Sequence, residues 1–388
     1  MICVLVHKRS WRDPGPVVNV GVHNAQGYAA CGYETHFVVG RGAESDTDDD
    51  LRRYYGIEPR AELHIHRVAR RSLLGANSTL PIFWFAYRLI RDLARRDEVV
   101  AIAREPSFLP YLALLGRNPR IRTCFEAHNF YADLSWREDR LRIQDRHQSW
   151  LEQLCLPRLT GIAAIVAPLA ELYARRFPAV PTAAFPIGAD PVAPGDPEAR
   201  RQLRRAVYVG QVRTQKGVKT LIDAVSPAEG NLRAAFWGGT DEQVAKFGAR
   251  IAAKRLGDRI EFAAFRPPEE LQRALATEVS VGVVALHYTF YNAKLTCPAK
   301  ALDYLSHGLP VIASDLPSNR SLLGDAAIYV PPADTPALRA ALLALLDDPA
   351  EYRRRSALSW QRAHELSWTE RAKRLVAWAG DSTSATSV

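Results

Sequence analysis

Short apolar runs alternate with longer amphipathic stretches along almost all of this 388-residue chain, and nothing else restricts its fold as much. In the first half the strand candidates are Ile2–Val6, Thr35–Val39, Val99–Ala103, Thr123–Glu126 and Ala163–Val166. Helices are expected between them at Val18–Cys31, ending on Gly32, and at Phe83–Arg96, Ser107–Leu115 and Arg137–Leu156. The second half repeats the theme with strands Ala206–Val209, Arg233–Trp237, Ile260–Phe262, Val279–Val284 and Pro310–Ala313. Its helices are expected at Val218–Val225, Asp241–Lys254, Pro268–Ala276 and Pro298–His307. Such alternation specifies βαβ units and parallel sheets with helices on both faces. The prolines and glycines of PIGADPVAPGDPEARRQLRR (Pro186–Arg205) mark a linker between the halves. The expectation is an α/β protein of two doubly wound domains, with a deep cleft and ligands at the carboxyl ends of the strands. The boundaries read as 1–190 for the first domain, 191–204 for the linker and 205–366 for the second. A helix at 367–380 is expected to return to the N-terminal domain, followed by a polar, disordered tail at 381–388.

Composition narrows the setting. Hydrophobic residues at 47% and charged residues at 24% are those of a soluble globular protein, and no apolar run reaches membrane-span length. The N-terminus enters a strand directly, without the basic start and cleavage site of a signal peptide. Cys3, Cys31, Cys124, Cys155 and Cys297 are widely spaced, with no CxxC pair, and fit reduced thiols in a cytoplasmic protein. The net charge of +9 suits anionic substrates, nucleic acid or an acidic membrane face, and equally suits arginine-rich solvated helices. Nucleic acid is not expected as a partner.

Two segments carry chemistry. In CPAKALDYLSHGLPVIASD (Cys297–Asp315), Pro298 occupies the place of a first helical residue, and Gly308 and Pro310 mark the exit. Lys300 then lies in the first turn, where the helix dipole favours negative charge. Its position makes sense if an anion binds at that helix N-terminus; the alternative is a surface pair with Asp303, one turn on. In AVYVGQVRTQKG (Ala206–Gly217), Gly210 ends a strand while Lys216 and Gly217 open a helix, so Arg213 and Lys216 project from a loop at a strand's carboxyl end. That is a phosphate cradle in outline, though neither a Walker A loop nor a GxGxxG turn. Together the segments put two lysines at two helix N-termini of one sheet, an arrangement that suits a diphosphate.

With these segments the chain resembles the GT-B glycosyltransferases, most closely the large retaining family conventionally numbered four. The likeness is strongest over Ala206–Leu343 and weaker in the N-terminal half. It extends to EAHN (Glu126–Asn129), PIGAD (Pro186–Asp190), FWGG (Phe236–Gly239), ALLALLDDPAEY and Ser367–Trp368. The resemblance implies two Rossmann-like domains facing each other across a cleft, the first binding acceptor and the second a nucleotide-sugar donor. Lys216 and an arginine after the strand glycine Gly210 would bind the diphosphate; the arginine's place is held by Gln211, with Arg213 the nearest substitute. Relatives carry two glutamates, one for the sugar and one for the ribose, at the places held here by Leu295 and Asp303. Lys300 would take over part of the missing carboxylate's work, and backbone amides near Thr296 and Cys297 would approach the diphosphate. Cys297 reads as a small helix cap rather than a nucleophile. Gly238 and Arg266 would lie near ribose and base. Arg104, Glu105, Glu126, His128 and Asn129 would lie on the acceptor side, with His128, Lys216, Lys300 and Asp303 as the catalytic set. No cofactor and no metal are implied.

Three further features are read as structural or left open. ESDTDDD (Glu44–Asp50) is expected to be a solvated loop, and His64 and His66 an alternating structural pair rather than metal ligands. The segment Arg67–Arg96 mixes Phe83, Trp84 and Phe85 with arginines, and fits either a core-packing helix or a peripheral contact with the anionic inner face of a membrane. The resulting expectation is a metal-independent, retaining transfer of sugar from a nucleotide diphosphate to a hydroxyl acceptor, such as a sugar, a lipid-linked glycan or a small molecule. Bacterial glycan, glycolipid or metabolite biosynthesis is the implied setting. An epimerase or phosphorylase-type GT-B enzyme, or a degenerate nucleotide-binding partner protein, remains the alternative.

Overall fold

The valine-, isoleucine- and alanine-rich runs pair in parallel because helices cover them on both faces, so neither face needs polar side chains. The computed structural model describes residues 1–13, 15–42, 44–73, 76–212, 214–227, 229–253, 255–266 and 268–381. The chain divides into two units, Met1–Gly188 with Trp368–Val388, and Ala189–Ser367. The strands of the first are β1 (Ile2–Ser10), β2 (Glu34–Gly40), β3 (Leu63–Val68), β4 (Arg71–Leu73), β5 (Ala76–Ser78), β6 (Val99–Ala103), β7 (Ile121–Ala127), β8 (Gly161–Ala164) and β9 (Thr182–Ala184). All but β4 and β5, which form a separate antiparallel pair, make one parallel sheet in the order β3-β2-β1-β6-β7-β8-β9. The chain order therefore reverses at β1, which pairs with β2 on one side and, from Ile2↔Val99 to Val6↔Ala103, with β6 on the other.

The second unit has β10 (Arg205–Val209), β11 (Arg233–Trp237), β12 (Ile260–Ala263), β13 (Val281–Val284), β14 (Val311–Ser314) and β15 (Ala327–Val330). Its order is β12-β11-β10-β13-β14-β15, again parallel and reversing at the first strand. Both sheets are doubly wound, and such folds bind ligands at the carboxyl ends of the strands where the order reverses.

Several elements differ from the expectation. The helix expected over Arg137–Leu156 spans Ile143–Cys155. Before it, the Trp136 indole N–H donates to the Phe130 carbonyl at 3.0 Å, and Asp145 caps the helix start by accepting from the Arg142 N–H at 3.0 Å. ESDTDDD is a loop only over Glu44–Asp46 and is helical from Thr47 on. Asp46 caps a helix at Thr47–Arg53, the acids fall in its first turn where the dipole favours them, and Asp50 is buried against the Trp11 indole at 2.6 Å. Within 191–204 lies the helix Pro197–Gln202, anchored by Arg200, which donates to the Ala276 carbonyl at 2.9 Å and the His307 carbonyl at 2.6 Å. That stretch is built into the second unit rather than left as a free connection. The tail is described only to Asp381; 382–388 lie outside the described residues.

The aromatic segment divides its roles. In the helix Leu80–Leu93, Phe83 is 2% exposed and belongs to the core, while Trp84 at 55% and Phe85 at 37% face outward. No described helix is long and apolar enough to cross a membrane.

The last helix, Trp368–Asp381, packs against Pro16–Ala30 so closely that a Cβ on Gly27 would lie 2.6 Å from the Trp368 carbonyl oxygen. Its Arg371 is 4% exposed and pairs with Glu126 of β7 at 2.6 Å. Removing one member of a buried pair leaves the other charge stranded, at a typical cost of about 3–5 kcal/mol. We expect Arg371→Met to lower unfolding stability by about that amount in urea denaturation, and the added Glu126→Gln change to recover part of the loss.

Candidate functional site

The second unit places its chemistry where β10 and β13 part. These strands pair only at Ala206↔Val281 and Val207↔Gly282, so the Val209 N–H has no strand partner on that side. The Tyr304 hydroxyl accepts from it at 3.0 Å and donates to the Val207 carbonyl at 3.2 Å. The Tyr304 ring fills the place of a side chain at Gly282, where a Cβ would lie 2.2 Å from it. Tyr304 belongs to the helix Ala299–Ser306, so this wedge also sets where Lys300 and Asp303 stand.

Lys300 is in the first turn of that helix, as expected, but Pro298 is the N-cap residue and no side chain caps the helix. Cys297 therefore lies one residue before the cap and is not the cap itself. Lys300 and Asp303 make no ion pair with each other, nor with any other described residue. Instead the Lys300 ammonium sits 3.4 Å from the centre of the Tyr208 ring, a cation–π contact, and beside Gly210. Burial, and then the nearby Lys216 ammonium, hold Lys300 well below the ordinary lysine value. A bound anion would oppose both effects by favouring the charged form of Lys300.

Lys216 ends a single 3₁₀ turn, Thr214–Lys216, ahead of the helix Val218–Val225. Its ammonium lies 3.4 Å from Asn292 Oδ1 and 5.8 Å from the centre of the Tyr291 ring. Gly217 joins turn to helix at φ +80°, and a Cβ there would lie 1.8 Å from the Ala285 carbonyl oxygen, so only glycine lets this loop close on the end of β13. Asn292 is 2% exposed; its amide also donates to the carbonyls of His287 at 2.9 Å and Gln215 at 3.3 Å. It is a positioning residue that the sequence did not reveal, because it lies in the π-helical turn Tyr291–Leu295, which no apolar periodicity announces.

The remaining positions sort as follows. Gly238, at φ +128°, ends β11 so close to Gly210 that a Cβ would lie 2.6 Å from the Gly210 carbonyl oxygen, leaving a floor of backbone beneath Lys300. Gln211 is exposed and its carbonyl is held by the Tyr208 hydroxyl at 2.7 Å. Arg213 lies outside the described residues. The Thr296 N–H does not await a diphosphate: it closes the π turn on the Tyr291 carbonyl at 3.0 Å. Leu295 is fully buried, in the core rather than the site. Arg266 stacks on the Trp237 ring at 4.4 Å and pairs with Glu261 and Glu278, each at 3.4 Å, so its cation is engaged within the unit rather than offered to a base.

The first unit gathers its polar residues where β1, β6 and β7 end. Glu126 is 4% exposed, and both its oxygens are occupied: Oε1 by His128 Nε2 at 2.6 Å, Oε2 by Arg371 at 2.6 Å and by the Asn24 amide at 3.2 Å. Burial alone would raise its pKa, but Arg371 and then His128 hold it well below the carboxylate range. Glu126 is thus a strut that orients His128 and is closed to a ligand. Burial, then Arg104, lowers His128, leaving a half-buried neutral imidazole. The Asn129 carbonyl accepts from the Tyr173 hydroxyl at 2.8 Å. Glu105 pairs with Lys8 at 2.8 Å. Arg104 is half-buried and makes no hydrogen bond or ion pair with any described residue. His7, missed in the sequence, is buried behind this group and pushed down to about 3 by burial.

Asp303 is pushed from its ordinary 3.8 up to about 7 by burial, opposed only by the Gln272 side chain. A carboxyl raised in the folded state binds a proton that the unfolded chain has released, so its contribution falls as pH rises from about 4 to 7. We expect the stability of wild type relative to Asp303→Asn to decline across that window by up to about 4 kcal/mol, followed by urea denaturation at each pH.

Comparison with known proteins bears on the family and the fold. Residues 204–348 match the family model described as glycosyl transferases group 1, the family the sequence resembles. No curated protein matches the chain in sequence. Among solved structures it is similar to sucrose-phosphate synthase from Thermosynechococcus elongatus, with TM-score 0.69 and 20% identity over 99% of each chain. It is similar to HepE of Anabaena, solved with UDP and glucose, with TM-score 0.65 and 13% identity over 97% of this chain and 98% of that one. TarM of S. aureus, solved with UDP, alpha-GlcNAc-glycerol and fondaparinux, has TM-score 0.70 and 8% identity over 97% and 99%. The fold is that of the GT-B glycosyltransferases, with two parallel-sheet, Rossmann-like units.

Proposed function

We propose that this chain is a retaining, metal-independent glycosyltransferase that moves a sugar from a uridine diphosphate donor to a hydroxyl acceptor. The observation that carries the reading is Lys300, held over the Tyr208 ring beside Gly210 and within electrostatic reach of Lys216 at the carboxyl end of β10. Two ammonium groups and the uncapped amides of the helix Ala299–Ser306 suit a diphosphate. UDP in HepE and TarM supports uridine as the base.

In the reaction the bond from the sugar's anomeric carbon to the diphosphate oxygen breaks. The acceptor oxygen bonds to that carbon on the face the diphosphate leaves, and the acceptor proton passes to the departing phosphate oxygen. Charge develops on the leaving diphosphate, where Lys216, Lys300 and the helix amides meet it without a metal ion. Asp303 would hold the ribose. In the first unit, the guanidinium of Arg104 and the imidazole of His128 would receive the acceptor. Arg104 favours an acceptor that bears a phosphate or carboxylate, since a half-buried cation with no hydrogen bond or ion pair to a described residue gains from an anion. The product would be a bacterial glycan, glycolipid or glycosylated metabolite.

Calorimetry with UDP should show binding to wild type that weakens in Lys300→Ala and in Lys216→Ala. With the matching UDP-sugar and acceptor, Lys216→Ala should lower kcat/KM by about 10²–10³-fold while circular dichroism shows the fold retained. Wild-type turnover in that variant would overturn the assignment of the diphosphate site.

A further inference from the structure

The edge of the first sheet carries a group of side chains that glycosyl transfer leaves unused. Glu34 and His36 lie on β2, and His64 and His66 on the edge strand β3. The parallel register sets His36 opposite His64, and the two-residue period of a strand puts all four side chains on one face. The alternation of His64 and His66 is visible in the sequence; the third imidazole arrives only through strand pairing.

One ligand atom from each of Glu34, His36 and His64 lies within 4.8 Å of the others. A tetrahedral zinc ion with bonds of about 2.0–2.1 Å holds its ligand atoms roughly 3.4 Å apart, so rotation of the exposed His64 and half-buried Glu34 side chains toward the buried His36 closes the difference. His64 is exposed and makes no hydrogen bond with any described residue, and its ring lies 4.8 Å from that of His36. His36 Nε2 already faces Glu34 Oε1 at 3.0 Å. Arg96 also contacts Oε1, at 2.6 Å, and no described group bonds Oε2. The remaining nitrogen of His36, Nδ1, lies 2.8 Å from His66 Nε2. That is the outer partner a metal-bound histidine needs: with Nε2 on the metal, the proton moves to Nδ1 and is donated to His66.

We propose that Glu34, His36 and His64 bind one divalent transition-metal ion, of which zinc is the type, with His66 as the residue that orients His36. Two imidazoles and a carboxylate select zinc, nickel or copper over magnesium and calcium, which prefer all-oxygen sites. The ion would bridge β2 to β3 and so fasten the exposed edge strand to the sheet. It is a structural staple, separate from the transfer reaction.

The test uses the full, untagged chain stripped with chelator, and zinc ion as the probe in competition with a chromophoric chelator. Wild type should bind one equivalent with Kd on the order of 10⁻⁶ M or tighter, show no comparable binding of magnesium, and gain several degrees in Tm with zinc. His64→Ala, at an exposed position that leaves the fold intact, should weaken zinc binding by at least about 10-fold and abolish the Tm gain. His66→Gln should weaken it less, because His66 acts through His36. Absence of one-to-one zinc binding by wild type, or unchanged affinity in His64→Ala, would overturn the site.

Discussion

The second unit depends on a single wedge, Tyr304. Parallel strands leave unpaired backbone groups wherever they diverge, and a buried N–H without an acceptor is costly. At the parting of β10 and β13 the Tyr304 hydroxyl serves both Val209 and Val207, while its ring occupies the space that Gly282 leaves. One side chain thus fills the gap between the two strands and satisfies the backbone there. Because Tyr304 stands on the helix Ala299–Ser306, the same bonds fix the register of Lys300 above Tyr208.

The first unit solves a related problem with charge. Glu126 carries His128 at one oxygen and Arg371 at the other, and Arg371 also donates to Asn24 at 2.7 Å and to the Pro186 carbonyl at 3.0 Å. A chain segment that follows the whole second unit in sequence is in this way fastened to the strand that presents His128. Both oxygens of Glu126 and the Asn24 amide are engaged in this network, and such buried bonding favours one arrangement of its members.

What could be read in advance follows the range of the forces involved. The helix Val218–Val225 matches its expected span because Gly217 marks its start and Val218, Leu221, Ile222 and Val225 form one apolar face, all local information. The two sheets followed from strand alternation, and Lys216 and Lys300 from glycines and prolines nearby. Asn292 was hidden because a π-helical turn has no apolar period of its own. Arg371, His7 and the His36–His66 contact were hidden because their partners are distant in sequence and meet only through sheet order. The acids of Glu44–Asp50 were misread for a different reason: a charge run and a helix's first turn share a composition, and the capping bond from Asp46 decides between them.

The place to which the resemblance assigns a sugar-binding carboxylate holds Leu295, which is fully buried. Lys300 is held down by burial and by Lys216, and Asp303 is held up to about 7 by burial. Both shifts lean toward neutrality, the common response of ionisable groups withdrawn from water. A further buried carboxylate would pair with Lys300 and cancel the positive potential that a diphosphate needs. Leucine at that position instead leaves the Lys300 amino group over the Tyr208 ring at 3.4 Å, with no carboxylate paired to it among the described residues. Under the function proposed above, leucine at this position would keep a competing carboxylate away from Lys300 and would leave contact with the sugar to other residues.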